Sequence, residues 1–216
     1  PGGTGYLKQL MHEKDSLIQI FEKALLSSIK SMHIEEISEN LDHFFLNDLN
    51  EIHSILSEAH FPNRPLVVNE WNLSFIQRNA FNDMAAKAAI MLKQMVETIG
   101  EVDDVCYWHA SDIFAGDMDA KRILNGACGL ISSDGFCKPP YYALLFFKQL
   151  HNYLIKRGEH YIVTKDALGH FAILLFNNKS LNYEYYSKDE AQTHIDDEQK
   201  IFNNHDALEI TLVLHE

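Results

Sequence analysis

The chain has 216 residues, a formal net charge of −13 and a hydrophobic content of 46%. This length and composition allow one large domain, or one and a half smaller ones, with a sizeable core. The acidic balance argues against a nucleic-acid-binding surface. No apolar run approaches the roughly 20 residues of a membrane span, and no signal peptide opens the chain, so we expect neither a nucleic-acid nor a membrane partner.

Cysteine and histidine usage favours a reducing compartment and offers no metal site. Cys106, Cys128 and Cys137 are an odd number without CxxC spacing, which argues against a disulfide framework. The 12 histidines are scattered and form no HExxH or HxH pattern. We therefore expect a cytoplasmic protein with no metal and no cofactor.

Two helical patterns precede the first clear strand. From Tyr6 to Ile29 apolar residues recur mostly at helical intervals, which indicates a helix over part of that segment. From Leu41 to His60 one apolar stripe lies opposite a polar side, which predicts an amphipathic helix packed on a sheet. Pro62 and Pro65 then interrupt the helical pattern and introduce a turn.

The motif after these prolines is the strongest candidate for a site. Leu66–Val68 is a short apolar run that predicts a strand buried on both faces. Asn69–Asn72 reads Asn-Glu-Trp-Asn and follows at the strand end where parallel sheets and barrels carry their chemistry. The carboxylate of Glu70 suits attack on an anomeric carbon, and the indole of Trp71 suits contact with a sugar ring. The alternative is that Glu70 is a solvated loop residue.

A second helix and strand repeat this arrangement. Asn82 and Asp83 can cap a helix predicted from Met84 to Ile99. A short strand from Val102 to His109 follows, and the sequence turns polar again at Asp112. Such alternation predicts parallel strands whose polar ends face the same way.

The C-terminal part changes from helical to strand periodicity. A helix is predicted from Tyr141 to Ile155, with prolines in its first turn and Gly158 after its end. Period-two alternation then predicts an antiparallel sheet, one face of a sandwich. Its expected strands are His160–Lys165, His170–Asn177, Leu181–Tyr186 and Leu208–His215, with a turn at 167–169.

Five motifs in order resemble glycoside hydrolase family 39, over roughly residues 41 to 186. They are Leu66–Asn72, Asn82-Asp83 before an Ala-rich helix, Tyr107–Phe114, Gly126–Ile131 and Gly135–Ala143. That family contains β-xylosidases and relatives, which are (β/α)8 barrels with an attached β-sandwich and act by retention. The resemblance implies an α/β fold: the C-terminal part of a (β/α)8 TIM barrel over residues 1–157, then an antiparallel β-sandwich segment over 158–216.

The resemblance also assigns roles to individual residues. It implies that Glu70 is the catalytic nucleophile at the end of the seventh barrel strand, acting on a xyloside-like saccharide. Candidate sugar contacts are Asn69, Trp71, Asn72, Trp108, His109 and Asp112. For several of them a structural role is the alternative: Trp71 and Trp108 as core aromatics, His109 as a hydrogen-bonded wall residue and Asp112 as the cap of a turn.

Two departures from the family pattern qualify the enzymatic interpretation. The family's acid/base is the Glu of an Asn-Glu motif on the fourth strand, and nothing before Asn69 matches it. Ala115-Gly116 stand where acidic residues are common in the family. We therefore expect this chain alone to be inactive, and its open strand edges to associate with a second copy or with the N-terminal barrel portion. The alternative function is a saccharide-sensing region, as in some AraC-type transcription regulators.

Overall fold

The computed structural model describes residues 42–60, 64–73, 79–112, 123–182, 199–211 and 213. In that part of the chain the elements follow one another as α1 (Phe44–Glu58), β1 (Val67–Trp71), a 3-10 helix (Ala80–Asp83), α2 (Ala85–Glu97), β2 (Asp104–Tyr107), α3 (Pro139–Phe147), β3 (Tyr153–Gly158), β4 (Tyr161–Lys165) and β5 (Phe171–Leu175). The helix predicted within Tyr6–Ile29 lies outside the described residues. None of the described helices is both long enough and apolar enough to cross a membrane.

β1 and β2 form a parallel pair, as the alternation of elements predicted. Val67 lies opposite Asp104, Val68 opposite Val105, and Trp71 opposite Tyr107. An irregularity in the register between Val68 and Trp71 places Asn69 and Glu70 at a bulge. The crossover between the two strands is α2, whose Ala-rich sequence favours a helix.

The expectation that the first strand is buried on both faces is wrong. Val67 is 55% exposed, and Asn69 and Glu70 are exposed as well. The reason is that, among the described residues, β1 pairs with β2 alone and the core covers one face of the pair. We call the covered side the packed face (Val68, Trp71, Val105 and Tyr107) and the other side the open face (Val67, Asn69, Glu70 and Cys106).

The packed face is covered by helices that also contact the second sheet. Phe45 of α1 stacks on Trp71 with ring centroids 5.2 Å apart, and Trp71 meets Tyr107 edge-on at 6.2 Å. Met91 and Ile162, from α2 and β4, are fully buried in the same cluster. Because residues of the helices and of both sheets share this cluster, its packing holds the β1–β2 pair in position.

α3 begins at Pro139, just before the predicted start at Tyr141, and ends earlier than predicted. Its first turn contains Pro139 and Pro140, but the helix stops at Phe147 instead of continuing to Ile155. Tyr153–Gly158 is the strand β3, which pairs antiparallel with β4. Local periodicity suggested a helix, and strand pairing overrides it. The predicted domain boundary between 157 and 158 falls inside β3, so the boundary we now propose lies before Tyr153.

The antiparallel sheet has the order β3-β4-β5. Its predicted turn is confirmed: the Asp166 carboxylate accepts hydrogen bonds from the backbone N–H of Leu168 (2.8 Å) and of His170 (2.9 Å), and Gly169 has φ +91°. The expected last strand is wrong where it is described, because residues 208–211 form none. Leu181 makes one isolated bridge with Phe202, and residues 183–186 lie outside the described part.

Candidate functional site

The carboxyl ends of β1 and β2 lie side by side. Glu70 lies near the end of β1, and its side chain is exposed to solvent. The backbone N–H of Trp108 donates to the carbonyl of Trp71 (2.9 Å), which continues the pairing just beyond β2. Parallel strands place their carboxyl ends at one edge. The structure therefore brings the polar ends of the two motifs together, with Asn69 and Glu70 on the open face.

Asn72 joins the two strand ends to the loop at 126–129. Its side-chain amide nitrogen donates to the carbonyl of Trp108 and, at 3.4 Å, to that of Cys128. Its amide oxygen accepts from Nζ of Lys87 at 2.7 Å. Asn72 follows Glu70 by two positions, so these bonds hold the backbone that carries the candidate nucleophile.

Lys87 of α2 is completely buried between two amide oxygens. Its Nζ donates to Asn72 Oδ1 and, at 2.6 Å, to Asn82 Oδ1, and it stands 5.7 Å from the centroid of the Tyr107 ring. Burial lowers the Lys87 pKa to about 7, and the nearby Lys138 contributes to that lowering. This lysine was missed by the sequence reasoning.

Lys138, at the start of α3, is a second buried lysine of this site and has carboxylate partners. Its Nζ lies 2.7 Å from Asp83 Oδ1 and 3.1 Å from Asp112 Oδ2, and it donates to the carbonyl of Ala127 at 2.6 Å. Burial raises the pKa of Asp83, and the charge of Lys138 opposes the rise. We call the six side chains of this region the buried polar frame: Asn72, Asn82, Asp83, Lys87, Asp112 and Lys138.

The capping role expected of Asn82 and Asp83 is wrong. Asn79 caps the 3-10 helix by accepting from the N–H of Phe81 (3.0 Å), and the N-cap position of α2 is Met84, with no side-chain bond. Asn82 instead donates to the carbonyl of Gly126 (2.7 Å), and Asp83 accepts from the backbone N–H of Gly126 (2.6 Å). These two members of the frame therefore hold the 126–129 loop through the backbone of Gly126.

The same loop approaches Asp112 too closely for any residue but glycine. The N–H of Gly129 donates to Asp112 Oδ1 at 2.8 Å. A Cβ atom added to Gly129 would lie 2.4 Å from that oxygen, well inside van der Waals contact. The loop glycine therefore serves the close approach of backbone to carboxylate.

The other predicted sugar contacts differ in accessibility. Trp71 is 6% exposed within the packed face, and the side chain of Asp112 has no exposed surface. Trp108 is half-buried, and His109 is 7% exposed with its ring edge-on to Trp108 at 4.7 Å. The peptide between these two residues is cis. The surroundings of Trp71 and Asp112 match their structural alternatives, whereas Asn69 and Trp108 have accessible surface at the strand ends.

The described residues contain no group of three or more His, Cys, Asp or Glu side chains that could hold a metal ion. Cys106, Cys128 and Cys137 are free thiols, of which Cys106 is exposed on the open face.

This geometry defines a class of protein: an α/β chain with a carboxylate at the carboxyl end of a parallel strand and an antiparallel sheet after it. The family model described as "Glycosyl hydrolases family 39" matches residues 18–205. The chain belongs to this family, as its five motifs predicted.

Two kinds of relatives match at the level of sequence. A beta-xylosidase from Geobacillus stearothermophilus is 32% identical over 133 residues, which are 61% of this chain and 26% of that protein. An uncharacterized HTH-type transcriptional regulator from Staphylococcus aureus is 24% identical over 127 residues, which are 59% of this chain and 17% of that protein. The chain thus spans about a quarter or less of the length of these relatives.

Solved structures show the same fold over part of their length. The GH39 enzyme from Xanthomonas axonopodis pv. citri superposes with a TM-score of 0.57 at 23% identity, covering 62% of this chain and 27% of that one. A monomeric beta-xylosidase from Caulobacter crescentus CB15 gives 0.55 at 22% identity, covering 66% and 30%. At these identities the likeness concerns the fold.

Proposed function

We propose that this chain is the nucleophile-bearing part of a retaining β-glycosidase of the xylosidase type, with Glu70 as the nucleophile and a saccharide as the ligand. The observation that carries the proposal is an exposed carboxylate at the carboxyl end of β1, beside the parallel strand β2, in a family 39 chain. Three free thiols support the cytoplasmic location that we include in the proposal.

The proposal treats β1 and β2 as the last two strands of a (β/α)8 barrel. The open face would then line the barrel interior, which accounts for the exposure of Glu70 and Cys106 within the described part of the chain. Strand edges without neighbours are places where further strands pair. We propose that the partner at this edge is the N-terminal barrel portion or, in its absence, a second copy of the chain.

Retaining hydrolysis needs two carboxyl groups about 5 to 5.5 Å apart, one ionised to attack and one protonated to release the leaving group. Asp112 is poorly suited as the second group, because Lys138 and the N–H of Gly129 engage it and its side chain is inaccessible. We therefore assign the acid/base to a part of the barrel outside this chain. The chain alone should show negligible turnover of unactivated xylosides.

Among the predicted sugar contacts, Asn69 and Trp108 keep that role in the proposal, and His109 holds the ring of Trp108. Asn69 and Trp108 have exposed surface near Glu70, and His109 packs against Trp108. Trp71, Asn72 and Asp112 have a structural role in the proposal instead. They hold the strand and the loop that carry the sugar-contacting residues.

A 2-fluoro xyloside with an activated phenolate leaving group tests the role of Glu70. The Glu70 carboxylate oxygen forms a bond to the anomeric carbon while the bond to the phenolate breaks, and the phenolate leaves as an anion without an acid. We expect slow, stoichiometric labelling of Glu70, measured by intact mass and peptide mapping, and no labelling of Glu70→Gln.

Asp104→Asn is the matched control, because Asp104 is an exposed carboxylate at the opposite end of the same strand pair. It should label at the wild-type rate. Labelling of another carboxylate while Glu70 stays unmodified would contradict the assignment, and turnover of an unactivated xyloside would contradict the absence of the acid/base.

A second candidate function is saccharide sensing within a transcriptional regulator, favoured by the similarity to HTH-type regulators. Such a region needs binding and no covalent chemistry. Calorimetric binding of a xylo-oligosaccharide together with complete absence of labelling would favour the sensor over the glycosidase.

A further inference from the structure

One continuous chain of hydrogen bonds connects a buried amine to the strand end that carries Glu70. Lys87 Nζ donates to the oxygen of Asn72, and the nitrogen of the same amide donates to the carbonyl of Trp108. The N–H of Trp108 in turn donates to the carbonyl of Trp71, the residue after Glu70. The position of the backbone that follows Glu70 therefore depends on the amide of Asn72.

We propose that Lys87 is a positioning residue for Glu70, acting through Asn72; this inference rests on the proposed role of Glu70 as nucleophile. The side chain of Lys87 has no exposed surface, so it does not touch a substrate. Its effect is on the direction in which the end of β1 presents the carboxylate. Misplacement of a reacting group by about 1 Å lowers rates by about a hundredfold.

The protonation state of Lys87 sets the strength of this support. A charged donor makes shorter and stronger hydrogen bonds to the two amide oxygens than a neutral amine does. Within the described residues, the titratable groups around it are Tyr107, Cys128, Asp83, Asp112 and Lys138. Since burial lowers its pKa to about 7, the ammonium form is lost as the pH rises through neutrality.

Positioning and stability then respond to pH in opposite directions. The unfolded chain keeps Lys87 protonated up to its ordinary pKa of 10.5, whereas the folded chain releases the proton near 7. Between these values the unfolded state binds more protons, so the Lys87 contribution to stability rises with pH. The positioning effect falls over the same interval. If Lys87 served stability alone, the rate of Glu70 labelling would not fall over the pH range in which the Lys87 contribution to stability rises.

The experiment measures the rate of Glu70 labelling by the activated 2-fluoro xyloside between about pH 6 and about pH 8.5, on either side of the Lys87 pKa of about 7. The wild-type rate should fall as the pH rises. Lys87→Met should label between about tenfold and about a hundredfold more slowly at the lower pH, without that pH dependence. A flat wild-type profile overturns the proposal and needs no variant.

Lys93→Met is the matched control, because Lys93 is a buried lysine of the same helix that lies outside the frame. It is 4% exposed, donates to the carbonyl of Asp42 at 2.6 Å and pairs with Glu97 at 2.9 Å. Its loss should destabilise the fold and leave the labelling rate and pH profile unchanged. Equal slowing by the two variants would show a general effect on folding and would overturn the proposal.

Hydrogen exchange of the Trp108 amide gives a readout that does not depend on chemistry at Glu70. If wild-type protein is never labelled, the proposed function is contradicted. Hydrogen exchange then tests separately whether Lys87 holds the backbone at the strand end. Loss of Trp108 protection in Lys87→Met, with protection retained in Lys93→Met, supports the link. Equal protection in wild type and Lys87→Met overturns it.

Discussion

The two faces of the β1–β2 pair have opposite physical characters although they alternate along the same strands. On the packed face, Trp71 is 6% exposed and makes ring contacts with Phe45 and Tyr107. Glu70, which directly precedes Trp71 in the sequence, is exposed on the open face. Successive side chains of a strand point to opposite sides, so adjacent residues are free to serve stability and chemistry separately.

The buried polar frame adjoins the carboxyl ends of both strands, where Asn72 donates to the backbone carbonyl of Trp108. Its two lysines differ in their partners: Lys138 faces the carboxylates of Asp83 and Asp112, whereas Lys87 faces the amide oxygens of Asn72 and Asn82. A buried charge requires compensation. Carboxylates supply it for Lys138, whereas burial lowers the pKa of Lys87 to about 7, where its acceptors among the described residues are amide oxygens.

Removing the central ring of the packed face should have the largest effect on stability. Trp71→Ala would leave a cavity between Phe45 and Tyr107 and should lower the free energy of unfolding by about 4 kcal/mol. Chemical denaturation followed by far-ultraviolet circular dichroism measures this loss. A loss below about 1 kcal/mol would contradict the assignment of this face to the core.

Breaking the carboxylate side of the frame should cost somewhat less. Lys138→Met leaves Asp83 and Asp112 buried without their cation, and we expect a loss of about 3 kcal/mol near neutral pH. Without the ammonium, burial raises the pKa of Asp83 with no opposing charge from Lys138, so the loss should shrink as the pH falls and Asp83 protonates. A pH-independent loss in denaturation midpoints would argue against an electrostatic cause.

Part of the site could be predicted from the sequence because its signal is local. An apolar run followed by Asn-Glu-Trp-Asn, and a second strand after a helix, predict parallel strands with Glu70 at their carboxyl ends. The frame was missed because its members are far apart in sequence and meet only in the fold. One clue was available: Lys87 lies within an Ala-rich apolar stretch of α2, where a solvated lysine is out of place.

The early end of α3 shows why local periodicity is insufficient. Apolar residues continue at helical spacing after Phe147, and no glycine or proline interrupts them before Gly158. The backbone N–H of His151 nevertheless donates to the Thr164 hydroxyl at 2.8 Å, and Tyr153 pairs with Lys165. These contacts join residues more than ten positions apart, so a local pattern carries no information about them.

The most direct measurement combines stability and labelling on the single variant Glu70→Gln, because the central claim is that Glu70 serves the chemistry and not the fold. Glu70 is exposed on the open face, so the free energy of unfolding should stay within about 0.5 kcal/mol of wild type. Labelling by the activated 2-fluoro xyloside should disappear completely in the same preparation. A variant that unfolds much more easily, or one that still takes up the label at the wild-type rate, would contradict the account.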